Sequence, residues 1–426
     1  MPNHPKTVTL SSFKGLNNVL RPERTPEDYL KEALNVDIDK SGGIQKRKGY
    51  ERVITGYVSS MWSDNDRCFA VVDENLVEIN TDLSLTQIRP SIGDINLSFD
   101  SVGDDYYFVS RYLNGAISKD GSYRPFGITP PAHNGNLIKV LGNLPEGLYQ
   151  VALTYEDSEG RESGARVAAM IHISGIGGIK IDNIPPSDEL TDYRVNIYVS
   201  TTNGQILYKY SSVDKNTTSF TIITGTERGA VPLTSFNVRP APKGTIVKYA
   251  HGRMWIADEN FLWYSDPHSL EWFQYDSSFF TFRDPIRAIM PTEGGMWVAS
   301  DGLYYIAGKD PNKASASLKE KVKVVEGTEC LVSGAYIFIE NTPIGYKWLV
   351  TTDKGIFICF NDGITLNMTE KNYTFPVADE GTAVFVQESG INRYTTTLKK
   401  KGDSTNMAIG DQVTTTVIRN GIILED

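Results

Sequence analysis

An all-β chain, a β-propeller of about five or six blades carrying one inserted sandwich, is what the 426-residue sequence predicts, and three observations predict it. The first is a hairpin stated twice within one stretch: Met254 to Ala257 turns through Asp258, Glu259 and Asn260 into Phe261 to Tyr264, and Met296 to Ala299 turns through Ser300, Asp301 and Gly302 into Leu303 to Ile306. Short β-branched and aromatic runs bounded by Asp, Asn and Gly favour strands joined by tight reversals, because those turn residues tolerate positive φ. The second is recurrence. The same hairpin starts at Cys68, Tyr106, Lys347 and Ala383, close to the blade period of about 40 to 50 residues. The third is one interval out of scale: register marks at Val72, Val109, Ile256, Val298, Val350 and Val386 are separated by 37, 147, 42, 52 and 36 residues. Removing one blade from the long interval leaves about 107 residues, near the size of one immunoglobulin-like sandwich.

Composition sets the outer bounds. Hydrophobic residues make up 40% of the chain, enough to bury a real core and more than one domain. No apolar run approaches the roughly 20 residues that span a bilayer, and the opening Met1 to Phe13 lacks the apolar stretch of a secretory signal. The expectation is a chain without a membrane segment, made in the cytoplasm. Cys68, Cys330 and Cys359 are odd in number and scattered through strand-like runs, which suits reduced thiols. The formal charge of -10 argues against tight, wrapping contact with nucleic acid, whose affinity comes from cations that displace phosphate counterions. Charge is unevenly spread: residues 1–50 hold nine Lys or Arg against six Asp or Glu, so a basic arm precedes an acidic body.

In order along the chain, residues 1–50 form that arm. Residues 7–20 look extended, and a short helix is expected next, with Thr25 as its cap, Pro26 in its first turn, and Tyr29, Leu30, Ala33 and Leu34 on one face. A hairpin follows around Ser41, Gly42 and Gly43, and the basic run Lys46, Arg47, Lys48 leads to Gly49 and Tyr50. Residues 51–135 carry the first blades, and Pro130-Pro131 breaks their pattern. Residues 140–240 hold the guest: Leu148 to Tyr155 alternates as a half-exposed strand, and Tyr193 to Ser200 and Gln205 to Tyr210 flank a turn at Thr201 to Gly204. Residues 243–426 return to the propeller and end in a hairpin from Gln412 to Leu424, expected to pair with an N-terminal strand and close the ring. Five of the six tryptophans lie after residue 250, either as wedges between neighbouring sheets or as an exposed platform for sugar.

Two stretches carry a resemblance. Phe13 to Tyr50, with Gly15, Asn17, Ala33, Asn35, Gly43, Arg47, Gly49 and Tyr50 as its marks, resembles the opening of tail nozzle proteins (tail tubular protein B, or tail hub proteins) of short-tailed bacteriophages. Residues 249–267 and 293–308 look like propeller segments of related phage proteins, and residues 147–164 with 194–210 look like a fibronectin type III module. The phage resemblance implies a structural virion protein: a ring of six copies below the portal and adaptor, continuing the DNA-exit channel and supporting tail fibres or spikes, with genomic DNA passing unbound. Lys46, Arg47, Lys48 and Tyr50 are then the candidates for contact with a neighbouring subunit or adaptor, against the plainer reading of a solvated turn. The residues that would line the channel are not identifiable from sequence.

A search for chemistry yields no catalytic, metal or cofactor assignment. His4, His133, His172, His251 and His268 are dispersed, with no second ligand at metal spacing. Gly175 to Gly178 lacks the lysine and helix of a phosphate loop, and the acid-Gly turns lack the Ser/Thr-Trp that completes the Asp box of sialidases. The expectation is a non-enzyme. The alternative, from a different class, is a carbohydrate-binding or glycosidase-like propeller with an accessory fibronectin-like module.

Overall fold

The structure, a computed structural model, describes residues 12–33, 36–39, 41–46, 52–64, 66–226, 229–337, 345–371, 373–375, 377–388, 391–399, 415–419 and 422–425. Among these residues every regular element is a strand, apart from 3-10 turns at Pro22–Arg24 and Pro311–Lys313. The fold is all-β, of propeller type, and the chain divides into two compact units: residues 57–258 with 262–280, and residues 1–56 with 259–261 and 281–426.

In the unit of residues 57–258 and 262–280, three antiparallel meanders have the strand order of propeller blades. Sheet 1 runs Val58–Ser63, Cys68–Val72, Asn75–Ile79, Leu85–Arg89; sheet 2 runs Ser98–Val102, Asp105–Val109, Asn114–Ile117, Tyr123–Arg124; sheet 3 runs Ile246–Ala250, Arg253–Asp258, Phe261–Asp266, Ser269–Phe273. Their hairpins turn where the sequence supplies positive φ. Asp73 and Glu74 stand at 45° and 64° between Val72 and its partner Asn75, and His251 and Gly252 at 54° and 75° between Ala250 and its partner Arg253. The first strands of consecutive sheets lie side by side, stitched by side chains accepting from backbone: Leu97 N–H donates to Ser60 Oγ (2.8 Å), Val247 N–H to Ser98 Oγ (3.1 Å) and Tyr249 N–H to Asp100 Oδ2 (2.6 Å). That radial stacking of first strands is what makes the meanders blades. Between sheets 1 and 2, Phe69, Phe99, Tyr106 and Phe108 are buried with Trp62 packed against them; between sheets 2 and 3, Tyr107, Phe126, Met254, Ile256 and Phe273 fill the space.

The same unit holds the sandwich. Asn136–Leu144, Gly177–Asp182 and Ser219–Ile222 form one sheet; Ala169–Ile173, Gly147–Asp157, Tyr193–Ser200 and Leu207–Asp214 form the other. Alternation sends Tyr149, Val151, Leu153 and Tyr155 inward against Val195, Ile197, Ile179 and Ile181. The opposite face of the larger sheet is also covered: Ala152, Tyr198 and Leu207 pack with Ala165, Ala168 and Leu233 from the segments that flank it.

The unit of residues 1–56 with 281–426 carries three further meanders: sheet 4 (Ala288–Thr292, Gly295–Ala299, Leu303–Ala307, Ala316–Glu320), sheet 5 (Cys330–Val332, Lys347–Thr352, Gly355–Cys359, Thr365–Asn367) and sheet 6 (Glu380–Glu388, Ile391–Lys399, Thr415–Arg419, Ile422–Glu425). Trp297 of sheet 4 donates its indole N–H to Phe360 O of sheet 5 at 2.7 Å, and Trp348 of sheet 5 returns one to Pro291 O of sheet 4 at 2.6 Å. These tryptophans are wedges, and none of the six is exposed.

One expectation is corrected here. The helix predicted from Thr25 onward is absent among the described residues. Thr25 instead closes the Pro22–Arg24 turn, a second turn follows in which Tyr29 N–H donates to Pro26 O (3.1 Å), and Leu30 then pairs with the segment before it, its N–H donating to Gly15 O (2.7 Å) and Asn17 N–H to Leu30 O (2.9 Å). Asp28 pairs with Lys14 at 2.5 Å. An isolated helix of that length is marginal in water. Extended pairing gains more, because it places Leu16 and Ala33 in a core with Ile38, Leu349, Ile356, Phe360 and Tyr394. Leu34 lies outside the described residues. The final hairpin completes sheet 6, Thr415–Arg419 pairing with Ile391–Lys399 and Ile422–Glu425 with Thr415–Arg419, and the N-terminal residues 1–11 expected to close the ring lie outside the described residues.

Candidate functional site

Of the residues singled out for subunit or adaptor contact, Lys46 ends the strand Ile44–Lys46, opposite Val36, and is exposed. Arg47, Lys48 and Tyr50 lie outside the described residues. The arm that carries them is anchored: Asn18 Oδ1 accepts from Thr374 N–H at 2.7 Å, Asn18 Nδ2 donates to Thr374 O at 3.1 Å, and Asp37 faces Arg393 at 3.5 Å.

His4 lies outside the described residues, and His268 N–H donates to Gly252 O at 2.9 Å, beside His251. His251 is a turn residue, His133 accepts from Gly135 N–H at 3.1 Å, and no group of three potential metal ligands forms among the described residues. The thiols are poor nucleophiles: burial pushes Cys330 up to about 11 and raises Cys359, which is wholly enclosed, further still. Cys68 is raised by the same cause.

Three polar features stand out in the unit that holds the sandwich. The first is a pair of arginines bridged by one carboxylate. Glu271, on the last strand of sheet 3, accepts from Arg124 of sheet 2 and, at 3.1 Å, from Arg161 in the sandwich turn. Arg124 also reaches Asp105 (2.6 Å) and Tyr107 (3.3 Å), and Arg161 reaches Asp157 (2.5 Å). Burial works against the charge on Arg124, but Glu271 and Tyr107 together outweigh it and the guanidinium is held more firmly protonated than usual. Trp272 N–H donates to Glu162 O at 2.9 Å beside this knot. Every charge in it is answered, which marks it as a joint between sandwich and blades.

A second cluster lies on the outer face of the larger sandwich sheet. Glu162 accepts from Thr154, Asn196 (3.0 Å) and Tyr198 (2.8 Å), and Glu156 accepts from Asn196 (2.7 Å) and Lys209 (3.0 Å). Asn196 and then Lys209 hold the Glu156 carboxyl below its ordinary range, against the opposing effect of burial. These groups are consumed by one another.

The third is open. A cleft of about 520 Å³ is lined by Thr129, Pro130, Ala165, Arg166, Val167, Asn237, Val238, Arg239, Pro240 and Tyr275. Parallel bridging of Ala165 with Phe236 fixes one wall, and Arg239 is fixed by exchanging backbone hydrogen bonds with Phe273, each 2.9 Å. Burial pushes the Tyr275 hydroxyl up to about 12, and it donates to Pro240 O at 3.1 Å. Nothing here has the proximity of acid, base and nucleophile that catalysis requires. Sequence reasoning missed this cleft because its walls come from four segments up to about 150 positions apart, and neither arginine sits in a basic run.

No family model matches the sequence, and no curated protein matches it. Among solved structures the chain is similar to BBS1N, crystallised in complex with ARL6DN (8% identity, TM-score 0.33, 87% of this chain and 92% of that one). It is similar also to a streptogramin B lyase (12%, 0.31, 79% and 89%) and to Hsv2 of Kluyveromyces marxianus, a structure at 8% identity and TM-score 0.32 covering 87% and 97%. Likeness at this level says nothing of function.

Proposed function

We propose that the chain is a structural protein of a short-tailed phage tail, the nozzle that continues the DNA-exit channel below portal and adaptor. The observation that carries this reading is the pattern from Phe13 to Tyr50. Among its described residues, the mark Ala33 is buried with Leu16 and Ile38 in one core with sheets 5 and 6. The acidic balance of -10 supports it physically, since a negative wall repels phosphate and lets a duplex slide, whereas a basic wall holds it through counterion release. The seven-strand, two-sheet layout of residues 136–222 supports a fibronectin type III-like module in the role of a side attachment for fibres or spikes. Burial of Trp255, Trp297 and Trp348 removes these three tryptophans from the sugar-platform alternative.

The test is reconstitution. The purified chain is mixed with the portal and adaptor encoded beside it, and the particle is weighed and imaged by negative stain. A homohexameric ring with a hole of roughly 20 Å or more, wide enough for a duplex, is expected. A chain that stays monomeric with both partners present, and is missing from purified virions, would refute the reading.

A further inference from the structure

The cleft of about 520 Å³ holds two guanidinium groups that are positioned but unpaired. Arg166 donates from Nε to Pro131 O at 2.8 Å, which orients the fork and leaves its terminal N–H groups available. Arg239 lies over the Tyr275 ring, 5.4 Å from its centroid, and that ring is itself held by Trp263 at 5.0 Å. Among the described residues neither arginine forms an ion pair, in contrast to Arg67, Arg124, Arg161 and Arg393. Two carboxylates bonded to lining residues are already engaged, and Asp258 acts on Tyr275 only through its field. Glu189 accepts from Thr129 Oγ1 (2.7 Å) and Thr129 N–H (3.2 Å), and Asp276 accepts from Asn237 Nδ2 (2.8 Å).

Pre-oriented planar forks without a partner are suited to oxyanions, because guanidinium matches carboxylate and phosphate in a two-point geometry. Stacking on an aromatic face further restrains the fork, so less freedom is lost when a ligand arrives. The cavity is much larger than a lone ion needs and falls in the range of about 300–1,000 Å³ typical of organic ligands. Pro130, Val167, Val238 and Pro240 give it apolar walls. We propose that this cleft binds an acidic peptide segment of a partner polypeptide, its carboxylate held between Arg166 and Arg239 and its neighbouring side chain seated against Tyr275 and the prolines. This holds whether or not the chain is a tail protein.

The experiment titrates the full chain with a short capped peptide containing Asp, Glu and one aromatic residue, and separately with inorganic phosphate, by calorimetry at low and high salt. Binding of the peptide is expected, weakening with salt, and each of Arg166→Gln and Arg239→Gln should lower affinity about tenfold, the scale of one charge-assisted hydrogen bond. Arg239→Lys should fall between, keeping charge but losing the planar fork. Both side chains are exposed, so thermal melting of the variants is expected to match the parent and rules out misfolding as the cause. Peptide affinity unchanged in both Gln variants, or no peptide binding at all, overturns the proposal. Phosphate competing with the peptide at equal concentration overturns the peptide assignment and leaves a bare anion site.

Discussion

Two partly buried carboxylates in the sandwich-bearing unit make opposite predictions about pH. Asp100 is raised by burial, with Lys248 and the Tyr249 N–H only partly opposing, so its folded pKa lies above its unfolded value. Such an acid favours the folded state while protonated, and that contribution is lost as pH rises through the raised pKa. Asp100→Asn should therefore stabilise the chain at neutral pH, since amide oxygen still accepts from Tyr249. The gain should shrink on acidification and vanish below about 3.9, where the wild-type acid is neutral in both states. Urea melts at several pH values measure it; a gain that grows on acidification would contradict the assignment. Glu156 has the other sign. Its pKa is depressed by Asn196 and Lys209, so its contribution is present above the unfolded value and lost as pH falls through the folded one. Glu271 offers a larger effect. Its replacement by alanine leaves Arg124 buried beside Tyr107 with only Asp105 to answer it, and a cost of about 3 kcal/mol in chemical denaturation is expected. If Glu271→Ala unfolds at the parent's urea midpoint, the joint is ornamental.

The elements show what is legible in a sequence and what is not. Each of the six hairpins predicted from apolar runs and turn chemistry is present, because short apolar runs bounded by turn residues are local signals, although the inner strands are buried almost continuously and not on alternate residues. In the first five the predicted hairpin is the middle of its sheet, whereas Glu380–Glu388 and Ile391–Lys399 open sheet 6. The arm's helix failed for the complementary reason: capping signals are weak, and burial of Leu16 and Ala33 in a long-range core overrode them. The Glu271 joint was invisible because its arginines lie 147 and 110 positions away, and no short-range pattern encodes such a meeting. The arm's core position carries a prediction. Leu16→Ala should cost about 3 kcal/mol and lower the melting temperature even of isolated chains, where a purely intersubunit arm would show no effect before assembly. A matched pair arises at the tryptophans. Trp297→Phe keeps the wedge but leaves Phe360 O with only a long 3.5 Å contact from Gly363 N–H, and about 1 kcal/mol should be lost, the scale of one buried hydrogen bond.

At the scale of the whole molecule, charge is the property that separates a conduit from a nucleic-acid binder. The chain carries 42 Lys and Arg against 52 Asp and Glu, and the excess of base in residues 1–50 leaves the remainder more acidic than the total. A protein that holds duplex DNA gains affinity by releasing counterions, so its binding strengthens steeply as salt is lowered. An acidic conduit has no such reserve. Its repulsion from phosphate also strengthens as screening weakens, because the Debye length grows from about 8 Å at physiological ionic strength to about 30 Å at 0.01 M. The two readings therefore diverge most where binding assays are most permissive. The purified chain, alone or assembled, should fail to retain duplex DNA in filter binding at low salt, with no increase as salt is reduced. Retention at low salt that falls along a steep log–log salt slope would mean a basic surface gathers along the duplex despite the net charge, and the sliding-wall argument would fail with it. Inclusion of the Arg166→Gln and Arg239→Gln variants separates any weak capture by the cleft from capture by the rest of the surface.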